Sequence, residues 1–479
     1  MITFIVCLTL LIGSYFIYGK YIEKVFAVDA SRPVPSATKA DGMDFIPLPK
    51  WKTFLIELLN IAGLGPIFGA IMGATYGPVA FLWITGGCIL IGAVHDYASG
   101  MISLREGGAS FPEIVGKYMG STIKQIMRGV TIFLITLVGA VFMVGPAGII
   151  ASLTGMGQEI WVYIILAYYI LATILPIDKI IGRVYPVFGA ALIFMALGVL
   201  CAILTGGYDI PEMNLHNYKD NADVFPIIPT LFIAIACGAV SGFHSTQSPM
   251  MARCIRNEKE GRPVFFGAMI AEGIIALIWA AIGMSFYGGP SELSVFLADN
   301  GNNAAVVVSD ITHSTLGKIG AVLALLGVVV APITSGDTAF RSARLMIADI
   351  FNMEQKTLRR RLYICVPLFI VGFCITLMPF DVLWRYFSWA NQVLAAICLW
   401  TITVYLFINK KNYIIVYIPA VFMTFIVSMY LFFSQEGFKM PYYTSLIIAA
   451  IITLLITTAT TVYMKKKLKE KKTDRTVEK

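Results

Sequence analysis

Apolar residues come in long runs along this chain, and the short stretches between the runs hold most of its charge. A helix needs about 20 apolar residues to cross a bilayer. The pattern therefore predicts an all-α integral membrane protein with about thirteen spans. They fall at 2–18, 51–73, 77–104, 124–151, 160–177, 184–205, 226–245, 263–287, 316–336, 361–379, 381–408, 412–433 and 442–463. The run at 160–177 is short for a span, and that at 51–73 is interrupted. The first run, MITFIVCLTLLIGSYFIYG, lacks a charged start and a clear small-residue cleavage site, so it reads as a membrane anchor rather than a signal peptide.

Two runs fill with glycine and polar groups before they finish crossing. In NIAGLGPIFGAIMGA (60–74), Gly63, Gly65 and Pro66 interrupt the apolar pattern. In CGAVSGFHSTQSP (237–249), Gly238, Ser241, Gly242, His244 and Ser245 do so. Unwinding a helix frees backbone N–H and C=O groups, which lipid does not tolerate but a substrate cavity can use. Glycine supplies the unusual dihedrals and close approach. The two segments start five expected spans apart, and five more spans run from 226 to about 408. That is the five-plus-five inverted repeat of the LeuT-like fold, with one helix in front and two behind. The competing reading is helix packing through small residues.

The expected division is 1–50 for the N-terminal helix and connecting loop, 51–225 for the first repeat and 226–408 for the second. Two C-terminal helices (409–464) and a basic cytoplasmic tail (465–479) follow. The outer loop 288–315 is too long and apolar for a plain turn, and short helices acting as a lid are expected there.

Candidate chemistry follows from polar groups in these runs. On the freed N–H groups at Gly63, Gly65, Ser241 and Gly242 a substrate carboxylate could sit, with His244 and Ser245 adding hydrogen bonds. His244 is either a proton or carboxylate contact or a loop histidine just past the helix. Glu57, His95, Asp96 and Glu272 lie inside spans, where an ionisable group is a functional candidate by default. Each could exchange a coupling proton or serve as a structural hydrogen-bonding group. A third polar segment, VVVAPITSGDTAFRSARLMIADI (328–350), places Thr334, Ser335 and Asp337 at the expected cytoplasmic end of the ninth span. The hydroxyls could complete a cation site with carbonyls near Ala62 and Gly65. Asp337 could carry a proton, or pair with Arg341 at i+4 as a helix-end salt bridge.

Composition agrees with a membrane protein. Hydrophobic residues make up 58% and charged residues 13%, against about 45–50% and about 25% in soluble domains. The net charge of +8 is a topology signal rather than a nucleic-acid patch. Lys and Arg gather in alternate loops, at 105–128, 179–183, 250–262, 337–361, 410–411 and in the tail, while the loops between are poor in them. The alternation places the N-terminus outside and the C-terminus in the cytoplasm, where the basic loops meet anionic lipid headgroups. The loop 19–50, with Lys20, Lys24 and several acids, does not decide cleanly. The eight cysteines form no CxxC and read as packing residues. HExxH, GxSG, GxGD and Walker A patterns are all absent, which argues against an intramembrane protease or an ATP-driven pump.

NIAGLGPIFGA, GAVHDYASGMISLREGGAS, IACGAVSGFHS and SGDTAFRSARLMIADI together resemble the carbon starvation protein A (CstA) family. The resemblance implies a secondary transporter of LeuT-like, amino acid-polyamine-organocation type in the bacterial cytoplasmic membrane. It implies uptake of pyruvate or short peptides under carbon starvation, with proton coupling. Long members are His-rich ahead of the first break, whereas this chain has Glu57 and Leu58 there. The expectation is a cation-coupled symporter for a small carboxylate or peptide, with no cofactor beyond coupling H+ or Na+, and no nucleic-acid partner. A sodium-coupled amino-acid transporter on the same fold and a non-transporting membrane sensor remain as alternatives.

Overall fold

The computed structural model describes residues 1–41, 44–174, 178–351, 353 and 357–477, with side chains throughout except at 173–174, 178–185 and 471–477. The last three residues of the expected 160–177 span, Lys356, the side chains of Lys179 and Arg183, and the end of the tail lie outside this description. All regular structure among the described residues is helical.

Among the described residues, nine helices are long and apolar enough to cross a membrane, or ten if one bent pair counts as a single span. The other expected spans coincide with helices that fail that measure for visible reasons. Gln158–Ile174 is 17 residues long, Leu358–Thr376 opens on Arg359, Arg360 and Arg361, and the segment after Pro226 is unwound.

The first break divides Lys50–Ala62 from Gly65–Ala74, which are bent by 44°. Gly63 makes the break with φ +46° and ψ −131°. A side chain would be strained there, and an added Cβ would lie 2.8 Å from Phe142 Cζ.

The second break is longer than the sequence suggested. A π-turn (Ile227–Leu231) and one short turn (Phe232–Ala234) are followed by non-helical chain over 235–243, and helix resumes as His244–Ala252. The expected span 226–245 is therefore corrected. Residues 246–252 belong to its second half-helix and not to a cytoplasmic loop, because Gly238 at φ +87° and neighbouring small residues let the unwound stretch run on to residue 243.

The freed backbone groups find partners on neighbouring helices, as burial requires. Trp83 Nε1 donates to the Ile235 carbonyl (3.0 Å), Trp384 Nε1 to that of Ala234 (3.2 Å) and Gln392 Nε2 to that of Phe232 (3.2 Å). Asn391, on the Phe380–Ile408 helix, accepts from Phe243 N through Oδ1 (2.7 Å) and from Gly242 N through its carbonyl (3.2 Å).

The ninth expected span is also corrected. It does not end near residue 336. A π-turn (Leu325–Val330) leads directly into Ala331–Ile350, so Thr334, Ser335 and Asp337 lie within a helix. Pro332 sits in the first turn of that segment, where its missing N–H breaks no ladder.

The expected short helices in the 288–315 loop are present as Pro290–Asp299 and the start of Ala304–Ala324, which kinks at Gly317 (φ +57°). The loop 19–50 opens as the helix Tyr18–Phe26. It then packs on the opposite face from Met1 through buried Glu258, which accepts from Arg105 Nε (3.0 Å), Arg32 Nη1 (2.6 Å) and Asp29 N (2.9 Å). On the Met1 face, the Glu212 carboxylate caps the first helix, accepting from Ile2 N (2.8 Å) and Thr3 N (2.9 Å).

Candidate functional site

The two breaks touch. Gly65, Gly69 and Gly73 fall four residues apart, so they share one helix face. That face lies along the unwound chain. An added Cβ at Gly65 would be 2.2 Å from Cys237 Cβ, and one at Gly73 would be 2.3 Å from Ile235 Cδ1; at Gly69 the Ala234 carbonyl oxygen lies 3.3 Å away. The third span reaches the same place from the other side. Its π-turn Cys88–Gly92 brings Gly92 against the Ala239 carbonyl oxygen, 2.3 Å from a Cβ built there.

Beneath this contact lies a cluster of ionisable side chains. His244 opens the second half-helix, and its Nδ1 lies 2.7 Å from Asp96 Oδ2. Asp96 Oδ1 lies 2.8 Å from His95 Nδ1, so one carboxylate bridges two imidazoles. His244 Nε2 is 3.4 Å from Glu272 Oε2, outside hydrogen-bonding geometry. One turn on from His244, Ser248 Oγ donates to Glu57 Oε1 (2.7 Å). Glu57, His95, Asp96, His244, Ser248 and Glu272 are all fully buried. Four segments supply them: Lys50–Ala62, Ala93–Arg105, His244–Ala252 and Gly267–Phe286.

The cluster is not saturated. Among the described residues, Glu57 Oε2, His95 Nε2, His244 Nε2 and both Glu272 carboxylate oxygens make no hydrogen bond of good geometry. A buried polar atom left unpaired costs about 1–3 kcal/mol, and a buried unpaired charge costs more. Three carboxyls and two imidazoles buried together offer five side chains on which a proton can reside. Cys237 Sγ, a His244 ring nitrogen and a Glu272 oxygen also lie within 4.8 Å of one another, close enough to share one cation.

The remaining candidate residues face elsewhere. Ser241 Oγ accepts from Asn391 Nδ2 (3.0 Å). Gly242 packs against the Phe380–Ile408 helix that carries Asn391, with Ala395 N 2.3 Å from a Cβ built on Gly242. Ser245 Oγ donates back to the Gly242 carbonyl (2.7 Å). Thr334 Oγ1 donates to the Ala331 carbonyl (2.7 Å), and Asp337 pairs with Arg341 Nη2 (3.2 Å). The Ala331–Ile350 helix meets the first break through Phe142, whose ring lies against Gly63 and whose Cβ lies 3.1 Å from a Cβ built on Gly336.

Sequence reasoning missed Ser248, Cys237 and Asn391 as members of this region. Ser248 had a signal, four residues after His244 on one helical face. So did Asn391–Gln392, an amide pair inside an apolar run.

The family model described as carbon starvation protein CstA matches residues 1–156, 144–310 and 292–430. The chain belongs to the CstA family. An uncharacterized membrane protein of Haemophilus influenzae is 44% identical over 61% of this chain and 93% of its own length. The Bacillus subtilis peptide transporter CstA is 25% identical, covering 80% of this chain and 81% of its own length. The Escherichia coli pyruvate/proton symporter BtsT is 25% identical, covering 67% and 55%. Among solved structures, the Eremococcus coleocola manganese transporter bound to an aromatic bis-isothiourea compound aligns with a TM-score of 0.58. It shares 13% identity over 90% of this chain and 99% of that one. At that identity the likeness concerns the fold, which is the LeuT-like arrangement expected for this CstA-family chain. The family match stops short of the last helix, Tyr442–Val477.

Proposed function

We propose that this protein is a proton-coupled secondary transporter, and not an enzyme, importing a small carboxylate such as pyruvate or a short peptide across the bacterial cytoplasmic membrane. Its Met1 face is outside, as the basic loops indicate. The observation that carries the reading is the buried Glu57–His95–Asp96–His244–Glu272 cluster at the junction of two broken helices. CstA-family relatives named as a peptide transporter and a pyruvate/proton symporter support it.

The substrate carboxylate docks on backbone N–H groups at the breaks, at Gly63–Gly65 and just ahead of His244, where the N-terminal ends of the half-helices Gly65–Ala74 and His244–Ala252 present partial positive charge. Ser241 and Gly242 position that stretch through Asn391, and Ser245 stiffens its turn. The proton resides in the cluster below. His244 begins the second half-helix, so any tilt of that half-helix changes its distance to Asp96 and Glu272 together. Proton number and helix position are thereby linked, which is what coupling requires.

Proteoliposomes loaded for imposed gradients, with labelled pyruvate and labelled dialanine as probes, test this. A pH gradient should drive accumulation. Asp96→Asn and His244→Ala should abolish that accumulation while leaving substrate counterflow measurable. Wild-type protein that accumulates neither probe under any gradient refutes the transporter reading and returns the sensor alternative. Asp96→Asn protein that still accumulates substrate on a pH gradient refutes the role of the cluster.

A second reading has one observation behind it. Thr334 and Ser335 are buried hydroxyls on the helix that meets Gly63 through Phe142, and a sodium site there would make sodium the coupling ion. Accumulation on a sodium gradient that Thr334→Val and Ser335→Ala abolish would establish it.

A further inference from the structure

On the Met1 face, a cavity of about 300 Å³ leads down to the unwound chain. Tyr76 from the turn after Gly65–Ala74, Lys219 from the 206–225 loop, Thr230, Trp384, Arg385 and Glu436 are among its walls. Its floor includes Ala234, whose carbonyl marks the start of the second break.

The charges in this cavity are unevenly matched. Arg385 is paired twice, with Nη1 2.7 Å from Asp381 Oδ2 and Nε 2.6 Å from Glu436 Oε1. That triad holds two carboxylates for one guanidinium. Glu436 Oε2 accepts a further hydrogen bond from Tyr430 OH (3.3 Å). Lys219 is the opposite case. Among the described residues its ammonium has no ion pair and no hydrogen bond. It is held only over the rings of Phe225 (5.7 Å) and Tyr76 (6.0 Å). Burial lowers the pKa of this loop lysine; the neighbouring Asp220 opposes that shift, Arg385 adds to it, and Asp381 opposes it in turn. An ammonium so placed gains most from an anion that enters the cavity with it.

We propose that this cavity is a loading subsite for a zwitterion, whose carboxylate meets the Lys219 ammonium and whose own ammonium meets the Asp381–Glu436 side. A simple monoanion satisfies Lys219 alone and faces the excess carboxylate unpaired, so the subsite favours an amino acid or a short peptide over pyruvate. The volume is at the small end of ligand pockets, about 300–1,000 Å³, and suits a single amino acid or a dipeptide. The proposal rests on the transport reading above and narrows its substrate class.

The test uses purified full-length protein and labelled dialanine, with binding measured by equilibrium dialysis without any gradient. Competitors are N-acetyl-dialanine, dialanine amide and pyruvate. Unlabelled dialanine should compete about tenfold better than any of the three, and Lys219→Gln should weaken dialanine binding about fivefold or more, with Lys219→Arg restoring most of it. Equal competition by pyruvate, or dialanine binding within about twofold of wild type in Lys219→Gln, overturns the proposal. Lys219-dependent binding in a protein that shows no gradient-driven uptake would sink the transport reading and leave the subsite standing. Gradient-driven uptake with binding indifferent to Lys219 would do the reverse.

Discussion

The contact between the two breaks can be tested at one atom. A methyl group on Gly65 would place Cβ 2.2 Å from Cys237 Cβ and 2.4 Å from its Sγ. Carbon atoms in contact keep about 3.5–4.0 Å apart. The overlap therefore exceeds an ångström, and the nearer atom is a Cβ that no rotamer change can move. Gly65→Ala must push the half-helix Gly65–Ala74 away from the unwound chain, along which Gly69 and Gly73 also lie. Overpacking of this kind costs about 1–3 kcal/mol. Cys237→Gly removes both offending atoms but adds backbone freedom to an already unwound stretch, at about 0.5–1 kcal/mol. If the breaks meet as described, the double variant is more stable than the sum of the singles implies, with a coupling of about 1 kcal/mol or more. The assay is denaturant-driven unfolding in mixed micelles followed by tryptophan fluorescence, run beside initial rates of uptake. Two results would refute the reasoning: Gly65→Ala costing less than about 0.5 kcal/mol, or single-variant costs that add in the double to within about 0.3–0.5 kcal/mol.

Three further outcomes follow from the same geometry. Gly63→Ala should destabilise by about 1–3 kcal/mol, because φ +46° with ψ −131° is foreign to alanine; Gly13→Ala, with nothing within 4 Å of an added Cβ, should be neutral or stabilising in the same melt. Asn391→Ala should cost about 1–3 kcal/mol by leaving buried Phe243 N and Ser241 unpaired, and Asn391→Asp, which keeps the acceptor toward Phe243, should cost less. At the Met1 face, the hydrogen bond from the N-terminal ammonium, with those from Thr3 and Ile2, holds the Glu212 carboxyl down at about 2 from an ordinary 4.5. A depressed folded-state value means stability present above pH 4.5 and lost as pH falls toward 2; Glu212→Gln should flatten that part of the melting profile, and an unchanged acid limb would count against the cap.

The apolar periodicity was enough to read the helical membrane architecture, because each run of about 20 residues has one way to satisfy its backbone in lipid. Both breaks were legible from glycine and proline placed inside such runs. Their extent was not. The unwound stretch persists to residue 243 because Trp83, Trp384, Asn391 and Gln392 supply its hydrogen bonds. Those partners are 150 residues or so away in sequence, where no local pattern points to them. The same limit hid the end of the 318–350 helix. The polar residues Thr334, Ser335 and Asp337 read locally as a helix end, yet a π-turn leads straight into Ala331–Ile350 and Pro332 falls in its first turn. In the site, Glu57, His95, Asp96, His244 and Glu272 were each visible singly as ionisable groups in apolar surroundings. Which of them met was a tertiary fact, since they come from four separate segments. The polar residues of the second break, adjacent in sequence, divide between two faces. His244 and Ser248 turn to the acids, whereas Ser241, Gly242 and Ser245 turn to the Phe380–Ile408 helix.

That division bears on how such a site can couple two events. The unwound stretch is fixed on one side by hydrogen bonds to Asn391 and Gln392, which are neutral and indifferent to proton number. The half-helix that follows is fixed on its other side by His244 and Ser248, whose partners are acids. Adding or removing a proton in the cluster therefore changes the hold on the half-helix while leaving the hold on the unwound stretch intact. The proposed coupling puts the hinge at the junction of Phe243 and His244, where the backbone passes from one set of partners to the other. On the proposed reading, substrate at the breaks acts on the neutral side of that hinge and the proton on the charged side. On that reading the two influence each other through the tilt of His244–Ala252. A rigid helix through this region would have joined both sides in one body and given them no separate equilibrium to bias.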